Sequence, residues 1–477
     1  MTNNSSTIQK ALAAPHFKMI GAVADDLGYP CYVVGGFVRD LLLGRKKGDD
    51  IDIVCVGSGI TLAQAVQKKI VPTAKVQVFK SYGTAMLQFK KFTLEFVGAR
   101  KESYRRESRN PTIEPGSLED DQNRRDFTIN ALAIGLNAEN YGDLLDPFGG
   151  ITDLHQKIIK TPLDPKITFD DDPLRMMRAI RFATQLDFTI APITFNAIHS
   201  FSDRISIISK ERIVEELHKI LATSKPSIGF LLLEKSGLLN EIIPELIALK
   251  GIEEIDGHRH KDNFYHTLEV VDNICPHTED IWLRWAALLH DIGKAPTKKL
   301  LPKSGWTFHG HEFVGARMVY KLFKRLKMPL NDKMKYVQKL VSMSSRPIVI
   351  AEDIVTDAAV RRLLFDAGDS IEDLITLCKA DITTKNPKRF ERYHNNFKLV
   401  REKMIAVEAR DKIRNFQPPI TGEMIMAHFQ IGPSPAIGTI KEAIKEAILE
   451  GDIPNELEAA QEMMIEEGKK LGLIPHG

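Results

Sequence analysis

Cysteine is scarce: Cys31, Cys55, Cys275 and Cys378 are the four in a chain of 477 residues. None falls in a C-x-x-C pair, which argues against a zinc knot or a disulfide framework and for a reducing compartment. A surplus of either charge is also missing. Lys and Arg number 65 against 63 Asp and Glu, a net charge of +2. A nucleic-acid partner would therefore have to be met by a local basic surface, not by the field of the whole molecule. No run of about 18 apolar residues occurs, so no membrane span and no membrane partner are expected. The N-terminal stretch MTNNSSTIQKALAAPHFKMIGA lacks a basic segment followed by an unbroken apolar one, the mark of a secretory leader. The expected address is cytoplasmic. What remains is an ordinary globular composition, 43% hydrophobic and 27% charged, with length for about three domains.

The order of patterns along the chain predicts an α+β fold with an N-terminal head and a long helical body. CYVVGG, DIDIVCVG, AKVQVF, GTAMLQF and FTLEFVGA read as strands, rich in Val, Ile and Phe. From ITDLHQKIIK onward, apolar residues recur at three- and four-residue spacing and the expectation is helix throughout. Breaks in the pattern divide the chain into residues 1–150, 151–255, 256–385 and 386–477.

The stretch YVVGGFVRDLLLGRKKGDDIDIVCVG, residues 32–57, carries the first chemistry. Side chains alternate faces along a strand. Asp50 and Asp52 therefore point the same way, with Ile51 turned to the core. Two carboxylates on one face repel unless a cation lies between them. Mg²⁺ suits such a site, because it takes carboxylate and substrate phosphate oxygens together. Two Mg²⁺ ions ~4 Å apart would orient an attacking hydroxyl and stabilise a leaving pyrophosphate. Gly35 and Gly36 sit at a strand-to-helix turn, where backbone can approach a triphosphate, and Arg39 adds a cation there. Glu95, inside FTLEFVGAR, is a candidate third carboxylate on the same side; its other reading is an edge-strand surface residue.

This order of residues resembles the class II tRNA nucleotidyltransferase and bacterial poly(A) polymerase family, a branch of the polymerase-β-like nucleotidyltransferases. Three further motifs follow in sequence. RRDFTINALA (Arg124 to Ala133) is similar to the family's second motif, DPFGG (Asp146 to Gly150) to its hinge, and DDPLRMMRAIRF (Asp171 to Phe182) to its nucleotide-recognition helix. The resemblance implies a nucleotidyltransferase head with a small mixed sheet, followed by an all-helical neck, a further domain and a tail. It places Asp50, Asp52 and Glu95 at the catalytic step, with two Mg²⁺ ions. Arg125, Asp126 and Asn130 are the polar groups of the second motif, suited to ribose hydroxyls and a phosphate; an internal Arg–Asp staple is the alternative. Asp172 and Arg175 are expected at i, i+3 on one helix, where they share a face and would read the Watson–Crick edge of cytosine or adenine without a template. Arg178 and Arg181 extend that stripe toward triphosphate or RNA. Asp171 stands where the family often has Glu, and keeps the charge with one methylene less of reach.

In the body, NFYHTLEVVDNI, RWAALLHDIGKA, FHGHEFVGA and LCKADITTK supply His266, His290, Asp291, His309, His311 and Asp381, all fit ligands for a divalent metal. His290 and Asp291 are expected at the end of an apolar helix, with Gly293 as its C-cap. Residues 258–385 resemble an HD-type phosphohydrolase domain, with HDIGK as the signature. The resemblance implies that His266, His290, Asp291 and Asp381 hold a transition metal or Mg²⁺, with His311 and, more weakly, His309 as additional candidates.

Two basic clusters, Lys385, Lys388, Arg389 and Arg392, and Lys321, Lys324, Arg325 and Lys327, suit RNA phosphates. The function these features imply is template-independent addition or repair of the 3′-terminal CCA of tRNA from CTP and ATP, with release of pyrophosphate. tRNA, ATP and CTP are the expected partners, and no obligate protein partner is expected. A poly(A) polymerase would carry the same head, and a metal-dependent phosphohydrolase acting through the HD segment is a reading from another class.

Overall fold

Val, Ile and Phe concentrate in five short runs between residues 31 and 98, and each run is a strand in the computed structural model. The structure describes residues 2–45, 48–105, 108–251, 254–255, 258–259, 262–301, 305–348, 356–384, 386–411, 413–414 and 416–475. The five are β1 (Cys31–Val34), β2 (Asp50–Cys55), β3 (Val76–Phe79), β4 (Thr84–Phe89) and β5 (Phe92–Gly98). β6 (Arg100–Arg105) and β7 (Ser108–Pro115) form a separate hairpin, and β8 (Ala133–Gly135) and β9 (Leu144–Leu145) complete the main sheet. Its order is β3-β4-β5-β2-β1-β8-β9. β2 and β5 run parallel, with Asp52 opposite Glu95 in register; the other neighbours are antiparallel. A parallel pair needs a crossover, and the helix Gly59–Ile70 with β3 and β4 supplies it.

β1 and β2 lie inside the sheet, and Val33, Val34, Ile51, Ile53 and Phe96 are buried in its core. The register of β1 against β2 also sets Cys31 opposite Cys55. Two cysteines scattered in sequence are thus cross-strand neighbours, both buried and both free thiols.

The α+β head and helical remainder agree with the sequence reading. The helical remainder is not unbroken, however. Ile158–Ile159 pairs in parallel with Thr189–Ile190, and Lys299–Leu301 pairs with Gly305–Thr307. Pairs of two or three residues are too short to interrupt a helical periodicity in the sequence.

The chain divides into two compact units, residues 1–223 with 228–244, and residues 224–227 with 245–477. In the first, the helix Leu174–Leu186 is buried along most of its length and packs on the helix Lys210–Leu221. In the second, the helices Asn263–Ile274, Ile281–Leu289, His311–Arg325, Asp332–Met343 and Ile371–Asp381 pack around Trp285 and Phe323. Aspartates start two of these helices. Asp262 accepts from the backbone N–H of Phe264 and Tyr265, and Asp280 from that of Trp282, as N-caps do. Among the described residues no helix is long and apolar enough to cross a membrane.

Candidate functional site

Alternation along β2 sets Asp50 exposed at the strand's start, Ile51 buried, and Asp52 partly buried on the face of Asp50. β5 is an interior strand, so Glu95 is not an edge residue; it stands beside Asp52 on the neighbouring strand. Asp52 and Glu95 have neither a hydrogen bond nor an ion pair within 4 Å among the described residues. Burial, first, and then the neighbouring carboxylates push both of them up; Arg125 partly opposes this at Asp52 and Arg100 at Glu95. Clustered carboxylates held up in pKa, without a bonded cation, are a donor set that fits divalent metal.

Gly35 caps the turn into the helix Gly36–Leu42 at φ +74°, a region costly to side chains. A Cβ there would also meet Asp52 Oδ2 at 3.1 Å and an Arg125 nitrogen at 3.2 Å. The backbone favours glycine here, and the two side chains leave little room beside it.

A cavity of about 320 Å³ opens on Asp52 and Glu95. Its other charged walls are Arg100, Arg124, Arg125, Asp126, Asp172, Arg175, Arg178 and Arg212. Six arginines against four carboxylates favour a polyanion. Buried Asp121 braces two of them, bonding Arg124 through one oxygen and Arg125 through the other at 2.8 and 3.0 Å. Burial alone would raise Asp121, but Arg125 and Arg124 hold it below the usual carboxylate range. Asp126 reaches the cavity wall, yet its oxygens are taken internally: Oδ2 accepts from Arg178 at 2.7 Å, and Oδ1 from Asn130 and the Phe127 N–H at 2.9 Å each. Its pKa is brought down to about 2, with Arg178 and Asn130 outweighing burial.

The segment expected to recognise the nucleotide departs from the sequence reading. Asp172 and Arg175 do not share a helix. Pro173 disfavours helical backbone in the residue before it, and Asp172 is extended at φ −139°, ψ 97°, ending the helix Pro165–Asp171. Its Oδ1 accepts from Leu174 N at 3.1 Å, while Oδ2 faces Arg212 at 3.7 Å. Arg175, the second residue of the next helix, donates to the Arg124 carbonyl at 2.6 Å. Both side chains nevertheless line the same cavity. Gly36, Asp50 and Asp171 are not among its lining residues. Three other candidates turn away from it. Arg39 donates to Asn130 Oδ1 and to Asp40, Asn130 donates to Asp126, and Arg181 pairs with Glu216 at 3.1 Å and stacks on Phe182 at 4.0 Å.

Arg212 and Glu216 escaped the sequence reading. They sit one turn apart on the Lys210–Leu221 helix, and Glu216 is buried beside Ile213, Leu217 and Ile220. A carboxylate inside an apolar stripe was the available signal.

In the second unit, His266, His290 and Asp381 bring ligand atoms within 4.8 Å of one another. His266 Nε2 lies 2.8 Å from Asp381 Oδ1, and its Nδ1 meets the Thr383 hydroxyl at 3.1 Å. His290 Nδ1 donates to the Ala287 carbonyl at 2.8 Å. In the neutral ring that bond leaves Nε2 as the bare nitrogen, as metal-ligating histidines require. This Nε2 is buried with no hydrogen-bond partner, and faces Asp291 and Asp381 at 3.3 and 3.5 Å. Burial would lower His290, but Asp291 and Asp381 outweigh it and raise it to about 10. The cluster demands a cation at this point, a proton or a metal. Asp291 has one oxygen 2.6 Å from Lys294 and the other 3.6 Å from His311 Nε2. His309 is exposed. A cavity of about 630 Å³ opens on His266 and Asp381.

Gly293 does not serve as a left-handed C-cap; its φ is −77° and it starts the short helix Lys294–Thr297. Its role is close approach. A Cβ there would lie 2.0 Å from the His311 carbonyl oxygen and 2.7 Å from Gly315 N. Gly293→Ala is therefore expected to push the His311–Arg325 helix from the cluster, at a cost of ~3 kcal/mol or more. Titration with Co²⁺ should show the variant's cluster taking up less ion than the wild type's, while the unfolding transition of the first unit stays where it was.

Of the basic clusters, Arg325 is paired with Glu245, while Lys388, Arg389 and Arg392 lie on the helix Pro387–Asp411. Lys385 lies outside the described residues.

Comparison with known proteins gives three family matches in order. A poly(A) polymerase head domain covers residues 31–160, a "Probable RNA and SrmB- binding site of polymerase A" covers 187–250, and an HD domain covers 263–386. The chain is 33% identical over 355 residues to an A-adding tRNA nucleotidyltransferase of Deinococcus radiodurans, covering 72% of this chain and 78% of that one. It is 32% identical over 369 residues to a multifunctional CCA protein of Shewanella frigidimarina, covering 74% and 83%. A crystal structure of the Bacillus stearothermophilus CCA-adding enzyme with CTP superposes with TM-score 0.66 over 98% of both chains at 24% identity, a likeness of fold.

Proposed function

Because the chain belongs to the tRNA nucleotidyltransferase family, we propose that it builds or repairs the 3′-terminal CCA of tRNA from CTP and ATP without a nucleic-acid template. The observation that carries this reading is one cavity lined both by Asp52 and Glu95 and by Asp172, Arg175 and Arg178. Reaction and base choice then occur in one place.

The tRNA 3′ hydroxyl attacks the α-phosphate, and pyrophosphate leaves. Asp50, Asp52 and Glu95 are the residues to hold two Mg²⁺ ions, which supply positive charge to the nucleophile and the leaving group when bound. Arg125 and Arg178 face the triphosphate, each fixed in direction by a carboxylate behind it. Asp172 reads the base. Cytosine and adenine each present an exocyclic amino group, whereas guanine and uracil present a carbonyl oxygen at the corresponding position. A carboxylate accepts from the first pair and repels the second. Arg175 donates to the adjacent ring nitrogen. In the second unit, His266, His290, Asp291 and Asp381 are the residues to hold a divalent ion, which supplies an activated water to a phosphate ester when bound. A cytoplasmic location, where tRNA, CTP and ATP meet, goes with this reading.

A second reading, addition of the terminal A alone, is favoured by the A-adding relative. Purified protein with tRNA lacking CCA, or ending in CC, and with CTP, ATP or both, separates the readings. The expected result is two C residues from CTP alone, followed by one A when ATP is supplied. Refusal of CTP with acceptance of ATP on tRNA ending in CC selects A-only addition. Long ATP-derived tails would make the protein a poly(A) polymerase.

A further inference from the structure

We infer that the outward face of the His311–Arg325 helix is a docking rail for the single-stranded 3′ end of an RNA. Phe313, Arg317, Tyr320, Lys321 and Lys324 recur at positions i, i+4, i+7, i+8 and i+11, so they lie along one face. All five are exposed. The opposite face, with Gly315, Val319, Leu322 and Phe323, is buried, so the core does not need the two outward rings.

Isolated surface aromatics are ordinary. Several features set this face apart. Phe313 is 66% exposed and Tyr320 43%, and Phe313 is the most exposed aromatic ring among the described residues. The Arg317 guanidinium lies 5.6 Å from the Phe313 ring centroid. The face carries no carboxylate. Glu312, at its start, is turned to the Ser345 hydroxyl and His311, and no acid pairs with Arg317, Lys321 or Lys324 among the described residues. Rings interleaved with unopposed cations are the composition that holds single strands. Every base offers a π face to stack, and the cations follow the phosphates. A duplex hides its base faces and cannot use the rings. An acidic protein segment would satisfy the cations but leaves the rings without a counterpart.

The helix also has a direction. Its first residue, His311, reaches to 3.6 Å from Asp291. From Phe313 to Lys324 is ~16 Å along the axis, room for a few nucleotides ending beside the metal-ligand cluster. That directionality rests on the proposed phosphate-ester chemistry of the cluster; docking on the face does not.

The test uses the full chain and a short oligoadenylate RNA carrying one 4-thiouridine at its 3′ end. Irradiation, digestion and mass spectrometry should place crosslinks in the peptide spanning 311–325. Phe313→Ala combined with Tyr320→Ala should weaken binding of the labelled RNA about tenfold or more. Replacing Arg317, Lys321 and Lys324 by Gln should flatten the slope of log affinity against log salt by about 2. Unchanged melting midpoints certify that these surface variants fold. Crosslinks confined to other segments, or wild-type affinity in the double Ala variant, would overturn the inference. So would equal competition by duplex RNA, or a change in the protein's mass by light scattering, which would mark a protein contact. Wild-type protein that crosslinks here yet hydrolyses no phosphate ester would sink the reading of the metal cluster and leave the rail standing. Hydrolysis without the crosslink would do the reverse.

Discussion

Replacing Asp52 by Asn is expected to cut nucleotide addition about a thousandfold while the melting temperature stays the same or rises. The two effects have opposite signs because the carboxylate is costly to the fold and, in the proposed reaction, a ligand of the ions. Asp52 has no bonded cation, and burial raises its pKa, with Asp50 and Asp121 adding to the shift and Arg125 opposing it. Glu95 stands beside it on β5. An amide of the same shape removes the repulsion and still fits against Gly35, whose Cα hydrogens face Asp52 Oδ2. The reaction loses a ligand for the ions that neutralise the triphosphate, ~4 kcal/mol of transition-state stabilisation, or three decades in rate. Steady-state addition to tRNA lacking CCA and a thermal melt of the same preparation are the two measurements. A variant that stays active, or one that melts far lower, would show that Asp52 is an internal partner of Arg125 instead, and the assignment of the active site would fall.

Asp126→Ala should do the reverse, striking stability first. This carboxylate is buried and satisfies Arg178, Asn130 and the Phe127 N–H together. Its removal leaves the Arg178 guanidinium without its carboxylate and frees Asn130, which in turn holds Arg39. Breaking one side of a buried ion pair costs about 3–5 kcal/mol, a drop of roughly 10 °C for a unit of this size. The same group predicts an acid limit. Its folded pKa of about 2 lies below the unfolded value near 4. The stabilisation is therefore complete above pH ~4 and is lost as pH falls toward 2, about 2–3 kcal/mol in all. Hydrogen-exchange protection of the Leu174–Leu186 helix, which carries Arg178, should fall across that window in the wild type. In Asp126→Ala it should be low throughout.

Local pattern explains why some of the structure was legible from residues alone. The Val- and Ile-rich runs are strands, and alternation is enough to put Asp50 and Asp52 on one face. Asp172 shows a signal present and misweighed. The periodicity of DDPLRMMRAIRF suggested one helix, but Pro173 breaks it, and Asp172 lies in extended backbone. Gly293 shows a local rule overruled by packing: a glycine after a helix reads as a cap, yet here the constraint is the His311 carbonyl from another element. Arg212 and the opposition of Cys31 to Cys55 were out of reach, because each depends on which distant segments pair. The β6–β7 hairpin, with its charges and Pro111 and Pro115, has little of the composition that marks a strand.

The strand order has a consequence for how the protein is made. β1 lies between β2 and β8, and β8 leaves the ribosome roughly a hundred residues after β1. At ~5–20 residues per second, the nascent head carries one unpaired, apolar strand margin for several seconds. Through that interval Tyr32, Val33 and Val34 are open to pairing with any other extended chain. Slow codons read between the emergence of β1 and that of β8 would lengthen the hazard; those read before β1 is made, or after β8 has left the ribosome, would not.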